Sequence, residues 1–193
     1  MRCKEVIRLC VKRKKMVVYR DGEDQWLSDG VSAYRISGIP HLDGDGVPRL
    51  FDIPWKKWEK MTFSVCDGLP GNLCFEDFED GERELEISAR ILGGDGECYL
   101  AVKTRKGVYF INEADLKPIE TDGYTKILER TNAHGDIYFA IREGLRVSAL
   151  ISSVNMATDE MAENFREIAF GLQKVARETR GDVQMEIGGE EEE

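Results

Sequence analysis

Ile137-Tyr138-Phe139-Ala140-Ile141-Arg142-Glu143-Gly144-Leu145-Arg146-Val147-Ser148-Ala149-Leu150-Ile151 reads as two strands joined by a tight turn at Glu143-Gly144. β-Branched and aromatic side chains suit a pleated, half-buried backbone, and glycine supplies the positive φ that a hairpin turn needs. The same punctuation recurs along the chain. Asp-Gly occurs eight times, at Gly22, Gly30, Gly44, Gly46, Gly68, Gly81, Gly96 and Gly123, with short runs rich in Val, Ile, Tyr and Phe between most of them. The pattern predicts a series of short antiparallel strands.

Working outward, Val6–Val11 and Met16–Tyr19 read as strands flanking a charged hairpin end, Lys12-Arg13-Lys14-Lys15. Strands are also expected at 25–28, 62–66, 98–103, 107–111 and 124–130, and either a strand or a helical turn at 31–36. From Glu84 to Leu92 the chain alternates, with Leu85, Ile87, Ala89 and Ile91 on one side and Glu86, Ser88 and Arg90 on the other. That is the period of one half-buried strand. Ser37–Arg49 is glycine- and proline-rich and reads as loop, Ile53–Met61 as a short helix with Pro54 near its first turn, and Asn112–Leu116 as a helical turn. Cys66–Gly81 is rich in acids and turn residues, and no regular element is predicted there.

The C-terminal stretch differs. Met161, Phe165, Ile168, Leu172 and Val175 repeat at helical spacing, with Thr158 and Asp159 ahead of them as capping residues. The expected fold class is therefore α+β: mainly an antiparallel β meander with short helices and one long C-terminal amphipathic helix. The expected domains are 1–156, β-rich with a subdivision near 81, then the helix at 157–180 and an acidic tail at 181–193.

The 193 residues carry a net charge of −10, unevenly spread. Residues 1–20 hold eight Lys or Arg against the single acid Glu5, a charge of +7, which leaves −17 on the rest. An acidic body argues against broad non-specific DNA affinity, while a local basic face can still meet phosphates. No stretch approaches the ~20 apolar residues of a membrane span. The charged start, Met1-Arg2-Cys3-Lys4-Glu5, leads into no signal-peptide core, so a cytoplasmic protein with no membrane partner is expected. The cysteines at 3, 10, 66, 74 and 98 form no C-x-x-C pair, and His41 and His134 do not stand at finger spacing. No metal and no cofactor are expected.

Catalytic templates are absent: there is no G-x-S-x-G elbow, Walker loop, H-E-x-x-H or dinucleotide fingerprint. Asp43-Gly44-Asp45-Gly46 begins like a calcium loop, but position 12 of that loop would be Pro54 instead of a bidentate Glu. No catalytic residue is assigned. Two clusters fit nucleic acid or a partner: Lys12, Arg13, Lys14 and Lys15 at the basic hairpin, and Lys56 and Lys57 between Trp55 and Trp58. Tryptophans three apart share one helix face, so the rings are expected to anchor the core while the lysines face water. The helix residues Met161, Phe165, Ile168, Leu172 and Val175 are assigned either to packing on the sheet or to a homodimer interface.

Val108-Tyr109-Phe110-Ile111-Asn112-Glu113-Ala114-Asp115-Leu116-Lys117 resembles a motif of bacterial DNA sliding clamps, in which a strand ending in Phe-Asn runs straight into a short helix carrying Leu. Ala149–Met156 is similar to the closing segment of a clamp, with Ser152 and Ser153 where Met-Pro would stand. Leu27–Ile36 is similar to its Thr-Asp-Gly segment. The same segments look like uncharacterised proteins of phages and prophages of Gram-positive bacteria. The resemblance implies a clamp-like sheet and a DNA-handling role, and it carries no functional residue across. The leading expectation is a non-catalytic phage or mobile-element protein that binds DNA-handling machinery, with DNA at the basic hairpin and a protein partner or second copy at the helix. Two alternatives stay open: an acidic inhibitor of a nucleic-acid-targeting defence nuclease, of the anti-CRISPR kind, and a metal-dependent enzyme without a recognisable motif.

Overall fold

The computed structural model describes residues 2–93, 96–119 and 124–154. In chain order the elements are α1 (Cys3–Arg13), β1 (Lys15–Asp21), β2 (Asp24–Ser28), β3 (Ser32–Ile36), α2 (Gly46–Leu50), α3 (Trp55–Trp58), β4 (Thr62–Asp67), β5 (Arg83–Leu85), β6 (Ile87–Leu92), β7 (Cys98–Thr104), β8 (Gly107–Asn112), α4 (Glu113–Leu116), β9 (Thr125–Thr131), β10 (Ile137–Glu143) and β11 (Arg146–Ser152). The fold is mostly β, not α+β. An eight-stranded sheet runs β4-β1-β2-β3-β11-β10-β9-β5, and a separate three-stranded sheet runs β6-β7-β8. It is not a simple meander either, because β4 returns parallel to β1, in register from Lys15 opposite Thr62 to Arg20 opposite Asp67. The long C-terminal helix of the sequence reading, with Met161, Phe165, Ile168, Leu172 and Val175, lies outside the described residues, as does the tail. Among the described residues no helix is long and apolar enough to cross a membrane.

The hairpin at Glu143-Gly144 forms as its sequence predicts, with Gly144 at φ 63° and β10 antiparallel to β11. The first predicted strand does not form. Val6–Val11 belongs to α1, whose buried side is Val6, Ile7, Leu9 and Cys10 and whose exposed stripe is Lys4, Arg8 and Lys12. Spacing by four along the cations is a helical signal that outweighs the β-branched pair Val6-Ile7. Lys14 ends the helix in the left-handed region, at φ 55°, and its N–H donates to the Cys10 and Val11 carbonyls. The alternating stretch 84–92 is also not one strand. It breaks at Glu86: β5 pairs with β9 in the large sheet, while β6 pairs with β7 in the small one. Leu85 is buried, whereas Ile87 and Ala89 are exposed on the outer strand of the small sheet.

Both faces of the large sheet are covered. On one face Met16, Val18, Leu27, Tyr34, Ile36, Phe139, Ile141, Ala149 and Ile151 pack with Val6, Ile7, Leu9 and Cys10 of α1, with Leu42, Val47 and Ile53 of the 37–54 segment, and with Leu100, Val102 and Ile111 of the small sheet. On the other, Trp26, Ala33, Leu128, Tyr138, Ala140, Val147 and Leu150 form a smaller cluster with Phe75, which meets Trp26 edge-on at 4.8 Å. The cover here is the acidic 68–82 segment, and arginines hold it. Arg130 on β9 is fully buried and donates to Glu82, to the Cys74 carbonyl at 3.1 Å and to the Glu76 carbonyl at 2.9 Å. Arg142 on β10 shares Glu82 and stacks on Phe78, while Arg35 on β3 donates to Asp77 at 2.7 Å. Although burial alone would raise the Asp77 carboxyl, the Val147 N–H and Arg35 hold it below its ordinary range.

A second buried charge cluster joins three elements on the α1 side. Arg13 pairs with Asp29, at the β2–β3 connection, and its Nη2 lies 2.7 Å from Asp115 Oδ1 on α4. Asp29 also accepts from the Val31 and Ser32 amides, at 2.9 and 2.8 Å. Asp115 is less well served: neither carboxylate oxygen has a well-aligned hydrogen-bond donor. Burial, with the charge of Asp29 beside it, therefore pushes its carboxyl up to about 6 despite Arg13.

Two outcomes follow from these buried charges. Arg130→Met takes from the Cys74 and Glu76 carbonyls their guanidinium donor and leaves Glu82 with Arg142 alone, and should cost about 3 kcal/mol in urea unfolding; a loss within experimental error would show that the acidic segment stays closed without it. Asp115 binds its proton more tightly folded than unfolded, so the stability it contributes is complete below its unfolded value and is lost as pH rises through about 6. Asp115→Asn does not titrate. Its stability relative to the parent should improve by about 2 kcal/mol between about pH 4.5 and about pH 7.5, and parallel stability curves across that range would contradict the assignment.

Candidate anion-binding groove

Lys4, Arg8 and Lys12 stand one above another on the exposed side of α1, since residues four apart on a helix share a face. Between them Ile7 and Val11 present apolar surface. Facing this stripe is the α2–α3 segment, whose route is set by a short chain of causes. Buried Gln25 on β2 donates to the Pro40 carbonyl at 3.0 Å and accepts from the Leu42 amide at 2.7 Å, which pins the loop that leads into α2. Val47 and Ile53 then anchor the segment in the core. Between them Asp52 takes the left-handed conformation, φ 52°, and turns the chain so that the Ile53 amide reaches the Pro48 carbonyl at 2.9 Å.

The two walls enclose a cavity of about 590 Å³ lined by Lys4, Ile7, Arg8, Val11 and Lys12 on one side and by Leu50, Phe51, Asp52, Ile53, Pro54 and Lys57 on the other. Four cations rim an apolar floor, and Asp52 is the one acid among the described lining residues. Arg8 is engaged by Glu5 and Lys12 by Glu97, but all four side chains are solvated, so these pairs hold the cations weakly. Lys4 and Lys57, with Lys56 and Lys60 nearby in the chain, make no ion pair among the described residues. Such a site suits a ligand that offers negative charge at its edge and apolar surface at its centre.

The structure sorts the residues singled out in the sequence. Lys12 and Lys57, 45 positions apart, line the same cavity. The basic run is not a hairpin end but a helix C-terminus passing into a strand. Arg13 turns inward to Asp29 and Asp115 and is unavailable to a ligand. Lys14 is the exposed helix cap, and the Lys15 side chain lies across Gly30, where a Cβ would come within 2.7 Å of its Cδ. Lys56 is exposed on α3 without lining the cavity. The tryptophans also differ from expectation: Trp58 is half-buried against Phe63, at 5.2 Å, but Trp55 is 63% exposed and donates to Glu59 at 2.6 Å. The Trp55 indole N–H is held at the surface by Glu59, and of the two rings Trp58 packs against the core. Met161, Phe165, Ile168, Leu172 and Val175 lie outside the described residues.

Sequence reasoning missed Lys4 and Arg8, whose spacing with Lys12 was the signal, and missed the apolar floor of Leu50, Phe51 and Ile53, which no local pattern marks. A second cavity of about 380 Å³ lies on the opposite face of the large sheet, among Lys15, Tyr19, Asn72, Asn132, Asp136 and Tyr138. Among the described residues no three His, Cys, Asp or Glu side chains converge as a metal site. No protein-family model matches the chain, and neither a curated protein nor a solved structure matches it.

Gln25 is the residue through which the core positions the groove wall. Gln25→Leu leaves the Leu42 amide and the Pro40 carbonyl without their partner, so thermal unfolding should show a loss of about 1–3 kcal/mol. Protease cleavage within 38–50 should accelerate at the same time. An unaltered cleavage rate would show that the wall holds its place without this side chain.

Proposed function

We propose that the protein is a non-catalytic binding protein that meets nucleic acid through the groove between α1 and the α2–α3 segment, in the cytoplasm, as an accessory of phage or mobile-element DNA-handling machinery. One observation carries the reading: Lys12 and Lys57, far apart in the chain, line one cavity with Lys4 and Arg8. Four cations gathered on one strip repel one another, and an anionic partner offsets that repulsion. The resemblance of 27–36, 107–117 and 149–156 to clamp and phage segments supports the DNA-handling part of the proposal.

The test is fluorescence anisotropy with a labelled oligonucleotide at low and moderate salt. Affinity should fall as salt rises, because binding releases counterions from the phosphates. Lys4→Glu with Lys57→Glu should weaken binding at least about tenfold and flatten the salt slope by about two. Both side chains are exposed, so melting temperature should not move. Binding that survives the double change would remove nucleic acid from the groove.

A further inference from the structure

We infer that the groove takes an unstacked base of a single-stranded nucleic acid, seated on the apolar floor between the cations of α1 and Lys57. The inference rests on the nucleic-acid reading above and adds the form of the strand. Three observations point to it. The first is what lies between the charges. Ile7, Val11, Leu50, Phe51, Ile53 and Pro54 form the floor, and Leu50 is half exposed within it. A duplex shows a protein its phosphates and the edges of stacked bases, so it leaves such a floor uncovered. A single strand can turn a base out onto apolar and aromatic side chains while its phosphates meet the rim.

The second observation is size. About 590 Å³ falls in the range of small-ligand sites and is roomy for one nucleotide's base and sugar. The third is the width of the basic strip. Lys4, Arg8 and Lys12 are spaced over eight residues of helix, about 12 Å of rise. Acids flank them: Glu5 on the same helix, Asp52 in the groove and Glu97 beside Lys12. A rigid duplex laid across so narrow a strip brings its phosphates against those acids. A flexible single strand can follow the cations and avoid them. Base recognition here is by apolar contact and stacking, which every base can make, so little sequence preference is expected.

The test compares a fluorescein-labelled single-stranded DNA of about 15 nucleotides with the duplex of the same sequence and with the matching single-stranded RNA. The proteins are the full chain and its Leu50→Glu variant, with melting temperature as a check on folding. The single strands should bind at least about tenfold more tightly than the duplex. Leu50→Glu, which sets a charge on the floor at an exposed position, should lower single-strand affinity by more than duplex affinity, so that the preference for single strands is lost. Equal affinity for single strand and duplex would overturn the base-seating inference while the groove remains a phosphate-binding surface. So would a single-strand preference that Leu50→Glu leaves intact. Failure of all three oligonucleotides to bind at low salt would overturn the nucleic-acid reading itself.

Discussion

An eight-stranded sheet with apolar residues on both faces must be covered twice, and among the described residues regular elements cover one side only. On the first side α1, the 37–54 segment and the small sheet supply ordinary apolar packing. On the second side the cover is the irregular 68–82 segment, which brings Leu69, Leu73 and Phe75 to the apolar cluster. Its attachment depends on the buried guanidinium of Arg130, whose donors go to Glu82 and to the Cys74 and Glu76 carbonyls. A buried cation without such partners would be strongly unfavourable, so the sheet and the acidic segment each require the other. Much of the chain's acidic excess in this stretch is thus directed inward, toward Arg35, Arg130 and Arg142, instead of being a surface for partners.

The strands were legible wherever a local pattern and a turn coincided. The Glu143-Gly144 hairpin and the β7–β8 pair are the clearest cases, because alternation and a glycine turn specify both pairing and register over short range. Three features were not legible in the same way. Val6-Ile7 suggested a strand, since β-branched residues favour one, yet the cations at 4, 8 and 12 show that the segment is helical. The stretch 84–92 has one continuous alternation but serves two sheets, and the break at Glu86 depends on which strands arrive from elsewhere in the chain. The parallel pairing of β4 with β1 is a tertiary choice that no local sequence encodes.

The groove was half legible for the same reason. Lys12 and Lys57 were singled out as charges, but their meeting depends on Gln25 pinning the 38–42 loop and on Asp52 turning the chain before α3. Arg13 stood in the same basic run as Lys12 and Lys14, and nothing in the run distinguishes it. The helix does: position 13 falls three residues after buried Cys10, on the side that faces the sheet, so its guanidinium enters the interior and meets Asp29 and Asp115. Charge runs read as surfaces only when the element that carries them is known.

That division of labour within one run also ties the groove to the core. Arg13 is fixed by two buried carboxylates at the C-terminal end of the helix whose outer side carries Lys4, Arg8 and Lys12. A helix held at Arg13 and packed through Val6, Ile7, Leu9 and Cys10 cannot rotate to present other residues, so the spacing of the three outer cations along it is set before any ligand arrives. Preorganisation of this kind lowers the entropy lost on binding, and a site that gains little per contact benefits from it most. The opposite wall is held less firmly, by one glutamine and two apolar anchors in a segment without long elements. Adjustment to a ligand is therefore expected on the 50–57 side of the groove, with α1 as the fixed edge.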